Sequence, residues 1–271
     1  MLDSALSFIE RPTGRCRAMP FVIVEPAPAG PQHADPLQEE LALLEFAAQG
    51  RQVAQLWEAP LSLVVPRTYQ RHAGFEAARA EFARQGCPVF LRMSGGGLVP
   101  QGPGILNLSL AYTVGQPPGA LSDAVYLHLC EVIGKGLQAL GVPTHWQAVA
   151  GSFCDGRFNL AWGPPEAARK IAGTAQYWRR APAATQSADG QRHLVLAHAV
   201  LLVSADPEQI NARANAFEAA IDSGRRYDPR KVVSVREALL AQGHVPADGA
   251  ELMAQVSQAL RHSAAQTPPP A

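Results

Sequence analysis

The stretch RMSGGGLVPQGPGILNLSLAY, Arg92 to Tyr112, decides most of the fold. Its second half, Ile105 to Tyr112, alternates apolar and polar residues with the period of two expected of a half-buried strand. Its first half continues a short apolar run, Pro88 to Leu91, and breaks into three glycines, Gly95, Gly96 and Gly97. Glycines leaving a strand let backbone N–H groups approach a ligand oxygen closely. Arg92 can supply a charge-assisted donor beside them, so the loop reads as a cradle for an anion or an oxyanion. The plain alternative is a flexible turn between two strands.

Outward from this segment, the apolar pattern predicts an edge strand at Phe21 to Val24, and an amphipathic helix from Pro36 to Gly50 with Leu37, Leu41, Leu44 and Ala48 on one face. Glu39, Glu40 and Glu45 fall between them. A strand at Leu61 to Val65 and a helix from Phe75 to Gln85 closed by Gly86 precede the glycine loop. Val125, Leu129, Ile133 and Leu137 mark a helix after it. Strands are expected at Trp146 to Phe153, Phe158 to Trp162, Ile171 to Trp178 and, beyond a loop of small polar residues, Arg192 to Val203. Helices are expected at 207–222, 234–242 and 249–262. Strands in the middle and helices at both ends predict an α+β fold with a mostly antiparallel central sheet. The expected organisation is an N-terminal strand and linker over 1–35, one domain over 36–262 and a disordered tail over 263–271.

Composition bounds the function. A chain of 271 residues buries a full core without a metal or disulfide scaffold. With 23 basic and 23 acidic residues, no global field favours nucleic acid or an anionic membrane. Cys16, Cys87, Cys130 and Cys154 show neither metal-ligand spacing nor a disulfide framework. Together with the lack of a secretory leader or an 18-residue apolar run, this predicts a soluble, cytoplasmic protein. Only Lys135, Lys170 and Lys231 are lysines, so each is worth examining.

A second constellation is GSFCDGRFNL, Gly151 to Leu160, followed by RKIAGTAQ, Arg169 to Gln176. Cys154 is expected at a strand end before an Asp-Gly turn, where a thiol is reachable. It reads either as a nucleophile or as an inert small hydrophobe, the reading given to Cys87 and Cys130. Lys170 begins a strand that reaches the small residues Gly173, Thr174 and Ala175; a nearby ammonium would lower a thiol pKa, whereas the plain reading is an exposed hairpin lysine. His128 and His145 have no carboxylate at triad spacing and are set aside.

Taken together, residues 92–109 and 151–178 resemble the biotin/lipoate protein ligase catalytic-domain family. Its lipoate branch pairs an Arg-x-Ser-Gly-Gly-Gly loop with a Lys-hydrophobe-small-Gly-Ser/Thr-Ala motif. Weaker agreement near Arg67 and over Val232 to Leu239 extends the similarity across about residues 36–242. The resemblance implies a sheet like that of class II aminoacyl-tRNA synthetases and biotin synthetases. It also implies an acyl or phosphate subsite formed by Arg92, Ser94, Gly95, Gly96, Gly97, Asn107, Gly173, Thr174 and Ala175. Cys154 and Gln101 look like the cysteine-dependent octanoyl transferase and amidotransferase branch. Asn159 in place of the usual aspartate and a longer 163–169 hairpin depart from the pattern, and the basic loop of biotin ligases is missing.

What the resemblance implies is transfer of an octanoyl or lipoyl group through a Cys154 thioester, with Lys170 at the oxyanion, and without metal or ATP. The donor would be an octanoyl carrier protein or an octanoyl or lipoyl H protein, and the acceptor a lipoyl-domain lysine. The alternatives are a lipoate-protein ligase using ATP and Mg²⁺, and a non-catalytic paralogue that binds acyl groups or lipoyl domains.

Overall fold

The computed structural model describes residues 20–26, 35–183 and 191–270. A seven-stranded sheet forms the centre, in the order β1-β2-β6-β10-β9-β8-β7. Its strands are β1 (Val22–Ile23), β2 (Val53–Trp57), β6 (Ile105–Val114), β7 (His145–Trp146), β8 (Leu160–Trp162), β9 (Arg169–Arg180) and β10 (His193–Leu202). Every pairing but β1 with β2 is antiparallel. A smaller sheet, β4-β3-β5, joins β3 (Ser62–Pro66), β4 (Val89–Arg92) and β5 (Val99–Gln101). The glycine loop connects β4 to β5.

Local chemistry fixes the helices. In α1 (Pro36–Ala48) the Asp35 side chain accepts from Leu37 N and proline occupies the first turn, where its missing N–H costs nothing. Helices α2 (Phe75–Arg84) and α4 (Pro207–Ala220) cover the small sheet, with Phe75, Phe82 and Phe217 stacking edge to face. Helix α3 (Pro118–Ala139) and α6 (Gly249–Gln266) close the main core against the large sheet, and α5 (Val235–Ala241) starts with a Ser234/Glu237 capping box.

Several expectations are corrected. Strand β6 is not half-exposed: Ile105 through Tyr112 are all buried. Leu106, Leu108, Leu110 and Tyr112 enter the main core, whereas Ala111 packs with Leu43 and Leu44 of α1 and Ser109 bonds Glu40 of α1. Strand β2 gave no sequence signal because Gln55 sits in a short run whose two faces are both buried. The strand expected at Trp146 to Phe153 ends at Trp146, because Ser152 N bonds back to Val149 O and Gly151 takes φ +83°. The tail expected from 263 is helical through Gln266: Ser263 Oγ donates to Val132 O at 2.7 Å, and Thr267 O bonds His128 Nε2. The expected linker at 27–34 and the loop at 184–190 lie outside the described residues.

Candidate functional site

Cys154 stands in an irregular turn with φ +46°, in the left-handed region that non-glycine residues rarely occupy. Its surroundings hold it there. Lys170 Nζ donates to the carbonyls of Phe153 at 2.6 Å and Cys154 at 2.9 Å, and lies 4.4 Å from the Phe153 ring centroid. Asn159 Nδ2 donates to the Cys154 carbonyl at 3.1 Å, so an amide does here what an aspartate, an acceptor only when ionised, cannot do. Gly97 N donates to Cys154 Sγ at 3.4 Å.

Lys170 is fully buried, not an exposed hairpin lysine. Strand β9 presents it, with its backbone bridged to Ala161 of β8 on one side and to Val232 on the other, where Val233 N bonds Lys170 O. Gly173 clears its path: a Cβ there would lie 2.8 Å from Nζ and 3.0 Å from Cε. Only a residue without a side chain leaves that room.

The thiols differ in charge state. Burial pushes Cys87 up, and Cys130 up to about 12. Burial also opposes ionisation of Cys154, but the Lys170 and Arg92 charges and the Gly97 N–H outweigh it and bring the thiol below its ordinary range. Burial pushes Lys170 down to about 8, against the pull of the Cys154 thiolate and Asp155.

Arg92 acts on the glycine loop itself. Its terminal nitrogens donate to Val64 O, Gly95 O and Gly97 O at 3.1, 2.9 and 2.6 Å. These bonds hold the loop, while Arg92 also lines the pocket beside Cys154 and its charge is felt at the thiol. At Gly96, φ +106° and a hypothetical Cβ only 2.8 Å from Cys154 Sγ explain why glycine lets the loop close on the thiol. Leu98 N donates to Tyr69 Oη, which also takes Arg225 Nη1 and gives its proton to the fully buried Glu218; Tyr227 Oη gives Glu218 a second bond at 2.5 Å.

Two spaces meet at Cys154, and Thr174 and Ala175 also line both. Outside lies a cleft between the glycine loop, Tyr126, Arg225 and Tyr227. On the other side is a narrow pocket walled by Leu37, Trp57, Val64, Val99 and Val200. Its inner wall is polar. Asn107 and Gln101 exchange amide bonds at 2.8 and 2.9 Å. Trp57 Nε1 donates to Ser109 Oγ, Ser109 donates to Glu40 Oε1 at 2.7 Å, and His198 Nδ1 meets the same oxygen at 2.7 Å while its Nε2 faces Ser94 Oγ at 2.8 Å. Burial pushes the Glu40 carboxyl up, but His198, Ser109 and the Arg92 charge outweigh it and hold it below the usual carboxylate range.

Cys154, Lys170, Arg92, the three glycines, Gly173, Thr174 and Ala175 thus converge, while Asn107 and Ser94 belong to the inner wall. Thr174 Oγ1 is directed to Phe158 O. Sequence reasoning missed Glu40, His198 and Ser109. A histidine inside the apolar run HLVLAHAVLL was the one available signal.

A mostly antiparallel α+β domain whose sheet lines a pocket next to a cysteine and a buried lysine defines the class. Residues 32–261 match the lipoyl protein ligase A/B catalytic domain family, and the chain belongs to it. It is 83% identical over 253 residues to an uncharacterized protein of Cupriavidus necator, covering 93% of this chain and 100% of that one. It is 33% identical over 205 residues to an octanoyl-[GcvH]:protein N-octanoyltransferase of Kyrpidia tusciae, covering 69% of this chain and 68% of that one. The fold matches a lipoate-protein ligase A crystallised with ATP at TM-score 0.59 and 15% identity, over 91% of this chain and 85% of that one. It also matches a bi-partite lipoate protein ligase from Thermoplasma acidophilum at TM-score 0.54 and 16% identity, over 90% and 84%. The protein is an enzyme of the lipoyl/octanoyl transferase and ligase family.

Proposed function

We propose that this enzyme is an acyltransferase that carries an octanoyl or lipoyl group as a thioester on Cys154 and passes it to a lysine of a lipoyl-domain protein. The observation that carries this reading is the Cys154 thiol, drawn below its ordinary pKa near buried Lys170 and lying where two pockets meet. A thiolate there attacks the carbonyl carbon of the donor and forms the new C–S bond; from a carrier-protein thioester the donor C–S bond breaks and a thiol leaves after taking a proton, and from an H protein acylated on lysine the C–N bond breaks and the amine leaves after taking a proton. The neutral acceptor amine then attacks the acyl-Cys154 carbonyl, giving an amide, a proton and the free thiolate. The Gly97 N–H lies beside the thiol as a donor for the oxyanion, and the buried Lys170 charge behind the Phe153 and Cys154 carbonyls adds electrostatic stabilisation.

The acyl donor is an octanoyl carrier protein or an octanoyl- or lipoyl-loaded H protein, and no nucleic acid or membrane enters the reaction. The ligase alternative would ask Arg92 and Lys170 to neutralise an adenylate phosphate formed from ATP with Mg²⁺. In that reading Cys154 would be incidental, whereas its thiol is drawn below its ordinary range by the same two cations, which favours the transferase reading.

Intact-mass analysis after mixing the enzyme with octanoyl carrier protein, without ATP, tests the proposal. One octanoyl adduct is expected on the wild type and none on Cys154→Ser. Lipoate-dependent pyrophosphate exchange into ATP that survives Cys154→Ser would leave the ligase standing instead. Binding of acyl groups or lipoyl domains with neither activity would make the protein a non-catalytic paralogue.

A further inference from the structure

Glycines turn their peptide planes at little cost, so a loop of three beside a thiol needs something to keep the Gly97 N–H, and not the Gly96 carbonyl, aimed at Cys154 Sγ. The planes on either side are tied. Arg92 donates to the oxygens of Gly95 and Gly97. The Gly97–Leu98 plane is held at its other end as well: Leu98 N donates at 3.1 Å to the hydroxyl of Tyr69, a buried residue in the single turn Arg67–Arg71 that follows β3. With its carbonyl on Arg92 and its N–H on Tyr69, that plane turns only by breaking two bonds, and it belongs to the residue whose own N–H meets the thiol.

The surroundings commit the hydroxyl to this bond. Tyr69 Oη faces two groups that can only donate, Leu98 N and, at 2.5 Å, Arg225 Nη1, so its single hydrogen goes to Glu218 Oε1 at 2.7 Å. Glu218 is fully buried in α4, and among the described residues its carboxylate serves the two phenols: Tyr227 Oη reaches the same oxygen at 2.5 Å, while Oε2 is buried without a partner. A buried carboxylate so sparsely bonded is costly as a mere link between elements. What it secures is the direction of two hydroxyl hydrogens. Burial and the bond to Glu218 push the Tyr69 phenol up, so it keeps its hydrogen where the thiol is ionised.

We propose that Tyr69, oriented by Glu218, is a positioning residue that locks the Gly97–Leu98 peptide and so keeps the Gly97 N–H on Cys154 Sγ and on the oxyanion formed there. The oxyanion half rests on the transferase reading; the thiol half does not. Two phenols on one carboxylate oxygen supply the control, since Tyr227 directs its hydroxyl to Glu218 without bonding the loop.

The test compares the full-length enzyme with Tyr69→Phe and Tyr227→Phe, both checked by circular dichroism and thermal melting. The pH dependence of Cys154 alkylation by iodoacetamide is followed by intact mass, with Cys154→Ser as the blank. Against burial and Asp155, the Lys170 and Arg92 charges and the Gly97 N–H draw the thiol down, and all of these groups remain in both variants. The midpoint should rise by about half a pH unit or more in Tyr69→Phe, the scale of one lost hydrogen bond, and stay in place in Tyr227→Phe, although both variants melt earlier. A midpoint that stays in Tyr69→Phe, or moves as far in Tyr227→Phe, overturns the proposal. Arg225→Met keeps the hydroxyl but removes the cation beside it, and should move the midpoint less than Tyr69→Phe; an equal or larger shift gives the effect to the guanidinium and overturns the proposal. Amide exchange needs no variant: Leu98 N–H should be protected in the wild type, and exchange at the rate of a free loop overturns the lock. With octanoyl carrier protein, adduct formation on Cys154 should be about tenfold slower in Tyr69→Phe than in the wild type. Absence of any adduct on the wild type, with the alkylation midpoints ordered as expected, would count against the transferase reading alone.

Discussion

The two loops that meet at the thiol are each held by a buried cation bonded to backbone carbonyls, yet the cations differ in kind. On the glycine side, Arg92 comes from the strand that leads into the loop and ties back Gly95 and Gly97. On the cysteine side, Lys170 comes from β9, sixteen residues further along the chain than Cys154, and ties the carbonyls of Phe153 and Cys154 itself. Arginine keeps its charge at any working pH, whereas lysine becomes titratable when buried. The loop that only has to keep its shape is held by a permanent charge. The loop that carries Cys154 is held by a charge that can be lost.

Lys170→Met should break the comparison most visibly, lowering the rate of Cys154 adduct formation from octanoyl carrier protein by roughly a hundredfold or more, the scale of losing one oxyanion donor. The pH profile sharpens the difference. In the wild type, alkylation of Cys154 by iodoacetamide should rise at a pH below that of an ordinary thiol, because nearby positive charge favours the thiolate. Removing the Lys170 charge raises the thiol pKa, so the Lys170→Met midpoint should move upward; a midpoint that stays in place would mean the lysine does not govern the thiol.

Arg92→Met should cost less, about tenfold in adduct formation, since its charge is felt at Cys154 but its bonds serve the opposite loop. A larger loss than Lys170→Met would reverse the ranking of the two cations. The smallest effects are expected from Lys135→Ala and Lys231→Ala, within about twofold in the same assay. Lys135 pairs with Glu131 at the surface and Lys231 is exposed, and such positions contribute little.

The same pair of loops shows what could be read from sequence. Glycine runs and a lysine before Gly-Thr-Ala are local patterns, so the residues around the thiol were legible together with the antiparallel sheet that carries them. Glu40 was not, because a carboxylate at helical spacing between leucines reads as a solvated face until a partner from another element is known. That partner, His198, lies 158 residues away. Glu218 in α4 is a similar case, buried by hydroxyls from Tyr69 and Tyr227. Strand β6 misled for a related reason: Asn107 and Ser109 alternate with leucines as if facing water, but the polar face they form belongs to the inner site. Alternation reports polarity, not exposure.

The left-handed backbone at Cys154 has a consequence for how such a chain drifts. An L side chain at φ +46° carries a strain on the order of 1–3 kcal/mol that glycine escapes and asparagine bears more easily. Replacing the cysteine by glycine should therefore leave a protein with a higher melting temperature and no thioester. If the thioester runs through Cys154, then for a gene copy released from selection its loss is a downhill step in folding, and regaining it is uphill.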